Sequence, residues 1–378
     1  MKEQIGQQRR NILKTLGAGA VATAIGGCAP MVASTPRYPR YYSRKAWAKP
    51  QVSMDSVIRS IVGHRPFRPS GFNVSKEQFD EKTVVHNYGH GGGGISLSWG
   101  SSALAVRETM GMKPGNVAVI GSGVMGLTSA RLLQDAGWNV TIYTRNVARH
   151  TTSNVAAGEW SPFSAHDPEV SSAAFKSQFE WAARIAHHAY TNLTGADYGI
   201  RWLETYQLSD SADEREDNEL ADLFPMTRML GPGEHPFPSQ YARSFVTMQI
   251  DPAVLLRQLI EDFQIGGGKF VIRNFKDRAD VLSVNESVIF NCSGLGAAVL
   301  FEDDELVPAK GQLVYIPPDP AVDYMTFGGG NGMLYMFPRS DVILLGGTFK
   351  LGDYTTNPEP DETFRIVTEH QKMFAGFG

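Results

Sequence analysis

Along the chain, apolar residues fall into short blocks whose spacing alternates between the period of a strand and that of a helix. Residues 116–145 are the clearest case. NVAVIG is a continuous apolar strand, G121-S-G-V-M-G126 a turn, LTSARLLQDAG an amphipathic helix and WNVTIYTR a second strand. Residues 171–193 carry a helical period. DPAVLLRQLIEDF (251–263) predicts a helix with Asp251 as N-cap and Pro252 at its first position. KFVIRNF and SVIFNCSG read as strands that extend the sheet of residues 116–145. Beyond residue 308, GQLVYIP, MLYMFP and DVILLGGTF are joined by short turns, which predicts an antiparallel sheet and a second domain. An earlier block, VVHNYGHGGGGISLSWGSS (84–102), repeats the strand–glycine–helix order, its helix starting near Ile95. TTSNVAAGEWSPF (151–163) shows little helical or strand period, and the span 209–240, acidic and then Pro/Gly-rich, reads as surface loop.

The order strand, GxGxxG, helix, strand is what a dinucleotide site requires. Gly121 allows the tight turn, Gly123 lets the backbone approach a pyrophosphate, and Gly126 lets the helix pack on the strand. Val124 and Met125 open that helix, whose free N–H groups and dipole favour phosphate. The acid expected at the end of the second strand is absent, and Tyr143-Thr144-Arg145 stands there. Arg145 suits a 2′-phosphate, as in NADP, and equally suits the adenine side of FAD, so this position does not choose the cofactor.

Composition adds boundaries. The chain has 378 residues, 42% hydrophobic and 20% charged, with a formal net charge of −4, which is ordinary globular composition. There is no basic stripe to bind nucleic acid and no zinc-type cysteine spacing. At the front, QQRRNILKTLG sets Arg9 and Arg10 before Leu13, Lys14 and a Gly/Ala-rich apolar run too short to span a bilayer. This resembles a twin-arginine export signal. Ile25-Gly26-Gly27-Cys28 resembles a lipoprotein cleavage site with Cys28 as the lipidated residue, so residues 1–28 are expected to export and tether the protein at the cell envelope or periplasm. Residues 29–50 read as a linker. Cys292 is the only other cysteine, which leaves the folded part without a disulfide of its own.

HNYGHGGGGISLSWG (86–100), HRPFRP (64–69), TTSNVAAGEW (151–160), IFNCSGLGA, KGQLVYI and MLYMFPRSDVILLGGTFKLGDY (333–354) together resemble the FAD-dependent D-amino-acid oxidase family, D-aspartate oxidase included. The resemblance covers about residues 55–378. It implies an α/β fold with a Rossmann-type FAD-binding domain (72–165 and 246–305) and an antiparallel-sheet substrate domain (51–71, 166–245 and 306–378). The order of blocks departs from the family, whose members begin with the GxGxxG strand and end with the HNYGHGG strand and its helix. The expectation is a circular permutation, with residues 107–116 joining the old ends.

The resemblance further implies hydride transfer from the Cα of a D-amino acid to FAD, with O₂ as final acceptor; the alternatives are a membrane-tethered dehydrogenase that passes electrons to a quinone and a non-catalytic D-amino-acid-binding protein. Arg65 takes the place of the arginine that binds the substrate carboxylate, and its planar fork suits that group. Tyr335 takes that of a tyrosine on the same carboxylate, and Gly92 that of a glycine whose carbonyl accepts from the substrate amine. Cofactor contacts are implied for Gly121, Gly123, Val124, Met125, Gly126, Arg145, Thr151, Thr152, Ala157, Gly158, Phe275, Ser293, Gly91, Gly92, Gly93, Gly94, Ile95 and Ser96. Ser96 stands for a threonine that bonds the flavin ring. His86 and His90 read as strand and turn packing, and no metal is expected. Glu159 stands where an apolar residue is common, Gly93 where a tyrosine often is, and Asn331 where a second active-site tyrosine is usual, so a more open or more polar pocket is expected.

Overall fold

The computed structural model describes residues 47–147, 151–212, 219–329 and 333–377. The export, lipidation and most of the linker readings, together with Asn331, lie outside the described residues.

Two sheets carry the architecture. The first has six strands in the spatial order β2 (Asn73–Phe79), β3 (Lys82–Tyr88), β10 (Val288–Asn291), β4 (Asn116–Ile120), β5 (Asn139–Thr144) and β9 (Lys269–Ile272). From β3 to β9 every pairing is parallel, and β2 alone is antiparallel, as a hairpin with β3. The apolar run of β4 is unbroken because both faces are covered. Val117 and Val119 join the core under α1 (Gly94–Arg107) and α2 (Val124–Asp135), while Ala118 and Ile120 join a second cluster with Ile289, Val281 and Leu300. β3 and β4 flank β10 on its two sides. The glycine turns that follow them therefore open at the same carboxyl edge of one parallel sheet, where such folds bind ligands.

The second sheet runs β1 (Arg59–Phe67), β11 (Val307–Ile316), β14 (Ile343–Gly346), β13 (Tyr335–Pro338), β12 (Tyr324–Gly328), β6 (Ile200–Ser209), β8 (Tyr241–Ile250), β7 (Arg228–Leu230), with β15 (Lys350–Leu351) also on β11. All pairings are antiparallel except β6 with β12. Strand period sorts its side chains by face. Val314, Ile316, Met336 and Leu345 lie under Ile366, Val367 and Phe374 at and just beyond α5 (Pro360–Met373). Leu313, Tyr315, Tyr335, Phe337 and Leu344 point the other way, toward Val155 and Ala157.

Three boundaries move. β8 pairs with β6 along its whole length, so the backbone of residues 246–250 belongs to the second sheet, while Met248 and Ile250 send their side chains into the core of the first. α3 (Ala173–Asn192), assigned to the substrate side, packs on α1 and places Phe175, Ala182 and Tyr190 in the core of the parallel sheet. A helical period shows which face is apolar, not which sheet that face covers. The last linker residues are already part of the fold, since Trp47 meets Tyr206 edge-on at 6.0 Å and Tyr324 Oη donates to Ala48 O at 2.9 Å. α4 (Pro252–Ile265) starts as expected, with Asp251 Oδ1 accepting from Ala253 N–H at 3.1 Å.

Candidate active site

A cavity of about 550 Å³ runs from the 121–126 turn, past residues 151–159, to Arg65 and Tyr335. At its first end the glycines do what their spacing requires. Gly121 has φ +107°, and a Cβ there would stand 2.5 Å from Cys292 O. A Cβ on Gly126 would overlap Gly121 O, so α2 rests directly on the turn. Gly123, Val124 and Met125 line the cavity, and Val124 N–H donates to Ser153 Oγ at 3.0 Å. Ser153 is a lining residue that sequence reasoning missed, because a lone serine in an irregular stretch carries no signature. Arg145 and Ser293 line this end too. Phe275 does not line the cavity. Its ring packs on Tyr143 at 5.9 Å, with the Arg273 guanidinium 4.6 Å above it.

The middle wall is the 151–161 segment, which supplies Thr151, Thr152, Ala157, Gly158 and Glu159. β8 holds it: Trp160 N–H donates to Met248 O at 2.8 Å, and Ile250 N–H to Gly158 O at 2.6 Å. Arg339 holds it from the other side. This buried guanidinium donates to Asn154 O at 3.3 Å and Ala156 O at 3.4 Å, while Asp341 balances its charge at 3.0 Å. Neither Arg339 nor Asp251, which accepts from Ser340 N–H at 3.1 Å, was legible as a site residue.

Opposite stands the 91–94 turn. Gly91 has φ +53°, and Gly92 N–H donates to Ser164 O at 2.9 Å. Gly91, Gly92, Gly94 and Ile95 line the cavity, and α1 begins there, so its amino end faces the same space. Gly93 and Ser96 do not line it. A Cβ on Gly93 would stand 2.9 Å from Pro162 O, which makes Gly93 a packing glycine. The expected ring contact of Ser96 is corrected: its Oγ donates to Glu159 O at 3.2 Å and accepts from Ser161 N–H at 2.9 Å. The hydroxyl ties two backbones together and is taken up by them.

At the far end Arg65 of β1 crosses the sheet. Gly311 permits this, since a Cβ there would meet Arg65 Nη1 at 2.6 Å. Gly346 likewise leaves room for the Tyr335 ring, which its Cβ would overlap. Arg65 Nη2 donates to Tyr335 Oη at 3.2 Å, and Arg65 Nη1 is buried with no hydrogen-bond partner among the described residues. A buried guanidinium N–H left without an acceptor costs stability unless a ligand supplies one.

Burial sets the charge states nearby. His90, stacked on Phe72 at 4.7 Å, is pushed down to about 3 and stays neutral, and burial also lowers His86, whose ring lies 3.0 Å from Asn291 Nδ2. Both pack against aromatic rings, and His90 also lines the cavity. Burial drives the Cys292 thiol up to about 12 and the Glu159 carboxyl up to about 7. Among the described residues no group of three or more His, Cys, Asp or Glu is placed to hold a metal ion.

These residues fit FAD. The 121–126 cradle and the amino end of α2 suit a pyrophosphate, and the 91–94 turn, the amino end of α1 and the 151–159 wall enclose the space for a ring system beyond it. Comparison with known proteins agrees. Residues 116–377 match the family model for FAD dependent oxidoreductases, called DAO. The D-amino-acid oxidase of Streptomyces coelicolor is 30% identical over 261 residues, 68% of this chain and 76% of its own. Human D-aspartate oxidase is 26% identical over 68% of this chain and 75% of its own. Among solved structures, the glycine oxidase of Geobacillus kaustophilus superposes with a TM-score of 0.52 at 20% identity, over 69% of this chain and 78% of that one, which shows a shared fold. The chain belongs to the DAO family of FAD dependent oxidoreductases, and FAD is its cofactor.

Proposed function

We propose that this enzyme oxidises D-amino acids to 2-oxo acids and ammonia, with O₂ as electron acceptor. The observation that carries the reading is the Arg65–Tyr335 pair. One buried guanidinium N–H without a partner, beside a phenol hydroxyl, forms a seat for a carboxylate. Gly92 opens on the same cavity, and its carbonyl would accept an N–H of the substrate amine. FAD, when bound, supplies the two-electron acceptor for the hydride that leaves Cα. The chain's own part is placement. Arg65 and Tyr335 fix the carboxylate, Gly92 the amine, and Val155, Leu313 and Phe337 line the cavity with apolar surface. The D configuration and O₂ are supported by the relatives at 30% and 26% identity, both named as oxidases of D-amino acids.

The reading includes two further elements. The family match begins at Asn116, yet β1, β2, β3 and α1 lie before it and complete both sheets, which supports a permuted order of the family's blocks. The Arg9-Arg10 leader and Cys28 support export and lipid attachment. The test of the chemistry is anaerobic flavin bleaching by matched D- and L-amino acids, followed by readmission of air. Bleaching by D-isomers and stoichiometric peroxide are expected. Bleaching only by L-isomers, or reoxidation only by an added quinone, would replace the substrate or the acceptor of this reading.

A further inference from the structure

The cavity lining includes one acidic residue that the chemistry above does not use. Glu159 is the only acid among the cavity-lining residues, which otherwise include the cations Arg65 and Arg145 and the imidazoles of His64 and the neutral His90. Among the described residues it makes no ion pair. Its one side-chain hydrogen bond is from Thr205 Oγ1, at 3.2 Å. The groups that an α-amino acid always carries are matched elsewhere, its carboxylate at Arg65 and Tyr335, its amine at Gly92. What Glu159 would meet is therefore the side chain.

Sheet register locates it. Tyr335 pairs with Phe327 of β12. Phe327 pairs with Gln207 of β6, and Thr205 is two residues along on the same face. Thr205, the buried residue that bonds Glu159, thus lies two strand spacings across and two residues along from Tyr335, on the order of 10 Å away. That span suits a long side chain and leaves a short one out of reach. A carboxylate taken from water without a partner is unfavourable until a cation joins it. Burial pushes this carboxyl up to about 7, and among the described residues no basic group draws it back down.

We propose that Glu159 is the specificity-determining residue of the cavity and selects D-amino acids whose long side chain ends in a cation, an ammonium or guanidinium. This rests on the D-amino-acid oxidase reading. Acidic side chains are turned away by the same carboxylate, and neutral ones leave it unpaired.

Two measurements on the FAD-loaded enzyme test this. The first is the kcat/KM ratio for D-lysine over D-norleucine, which share a chain and differ in the terminal charge. The second is calorimetric binding of 6-aminohexanoate against hexanoate, a pair with the clamp-binding carboxylate and no α-amine. The native enzyme should favour the charged member of each pair by at least about tenfold, the lower range for a buried charge pair. Glu159→Gln, of the same shape, should bring both ratios to about 1, and Glu159→Leu should invert them. A native preference for D-norleucine overturns the proposal, as does a ratio that Glu159→Gln leaves unmoved. So does an equal loss on every substrate, which would place Glu159 at the α-amine. If no D-amino acid bleaches the flavin and neither acid binds, the oxidase reading itself has failed. D-norleucine oxidised while D-lysine is refused sinks this inference alone.

Discussion

At 121–126 the third glycine exists for the helix: a Cβ on Gly126 would overlap Gly121 O, and the first turn of α2 would be lifted off the strand. At 91–94 the glycines exist for a loop that packs from outside, with Ser164 O against Gly91 and Pro162 O against Gly93. Both turns leave parallel strands that neighbour β10, and both open helices whose amino ends face one cavity. They differ in what stands opposite. The first faces Ser153, Arg145 and Ser293, a polar rim suited to phosphate, whereas the second faces the 151–161 wall, with Arg65 and Tyr335 beyond. The same backbone device thus serves two ligand chemistries, and the difference comes from partners brought in from distant sequence.

The comparison can be broken most severely at Gly126. Gly126→Ala should abolish FAD binding and cost roughly 3 kcal/mol or more of stability, because backbone has to move. Absorbance at the flavin bands and thermal unfolding of the purified variant check it. Arg65→Ala acts only at the other end. It should raise KM for D-amino acids on the order of 10²-fold, through loss of charge-assisted bonds, with FAD retained. A colourless Arg65→Ala protein would mean that this arginine serves the cofactor.

A smaller effect is expected at Arg339. Arg339→Met frees Asn154 O and Ala156 O and loosens the wall that separates the two turns, so the FAD dissociation constant should rise about tenfold while the KM of the loaded enzyme changes little. Fluorescence titration of apoprotein with FAD measures this directly. Smaller still is Gly92→Ala. Its Cβ meets Ser164 Oγ at 2.0 Å and Ser164 Cβ at 3.0 Å and no backbone closer than 3.5 Å, so Ser164 has to rotate and give slightly, and the fold should survive with a loss of turnover larger than the loss of Tm.

Glu159 adds a pH test of the substrate end. Burial raises its carboxyl to about 7, so the protonated form dominates below that pH and the carboxylate above it. Binding of a cationic side chain requires the carboxylate. Affinity for 6-aminohexanoate should therefore fall about tenfold per pH unit below about 7 and level off above it, while hexanoate shows no such step. A flat profile for both acids would remove the ionised Glu159 from substrate recognition.

The sequence by itself determined the elements whose causes are local. β4, its turn and α2 were readable because period, glycine spacing and helix start lie within thirty residues. The Asp251-Pro252 start of α4 was readable because a cap is made by its own neighbours. Arg65 and Tyr335 were legible through resemblance, though nothing in their spacing says that residues 270 positions apart would hydrogen-bond. Tertiary structure alone decided that β8 joins the second sheet, that α3 covers the first, and that Phe275 stands off the cavity. It also decided that the Ser96 hydroxyl goes to the backbone of Glu159 and Ser161, and that Arg339 pins the cofactor wall. Each of these rests on which distant surface a periodic segment or a polar group meets. Pattern along the chain encodes that a face is apolar or that a group needs a partner, while the identity of the partner is settled only when the sheets pack and every buried donor has to find its acceptor.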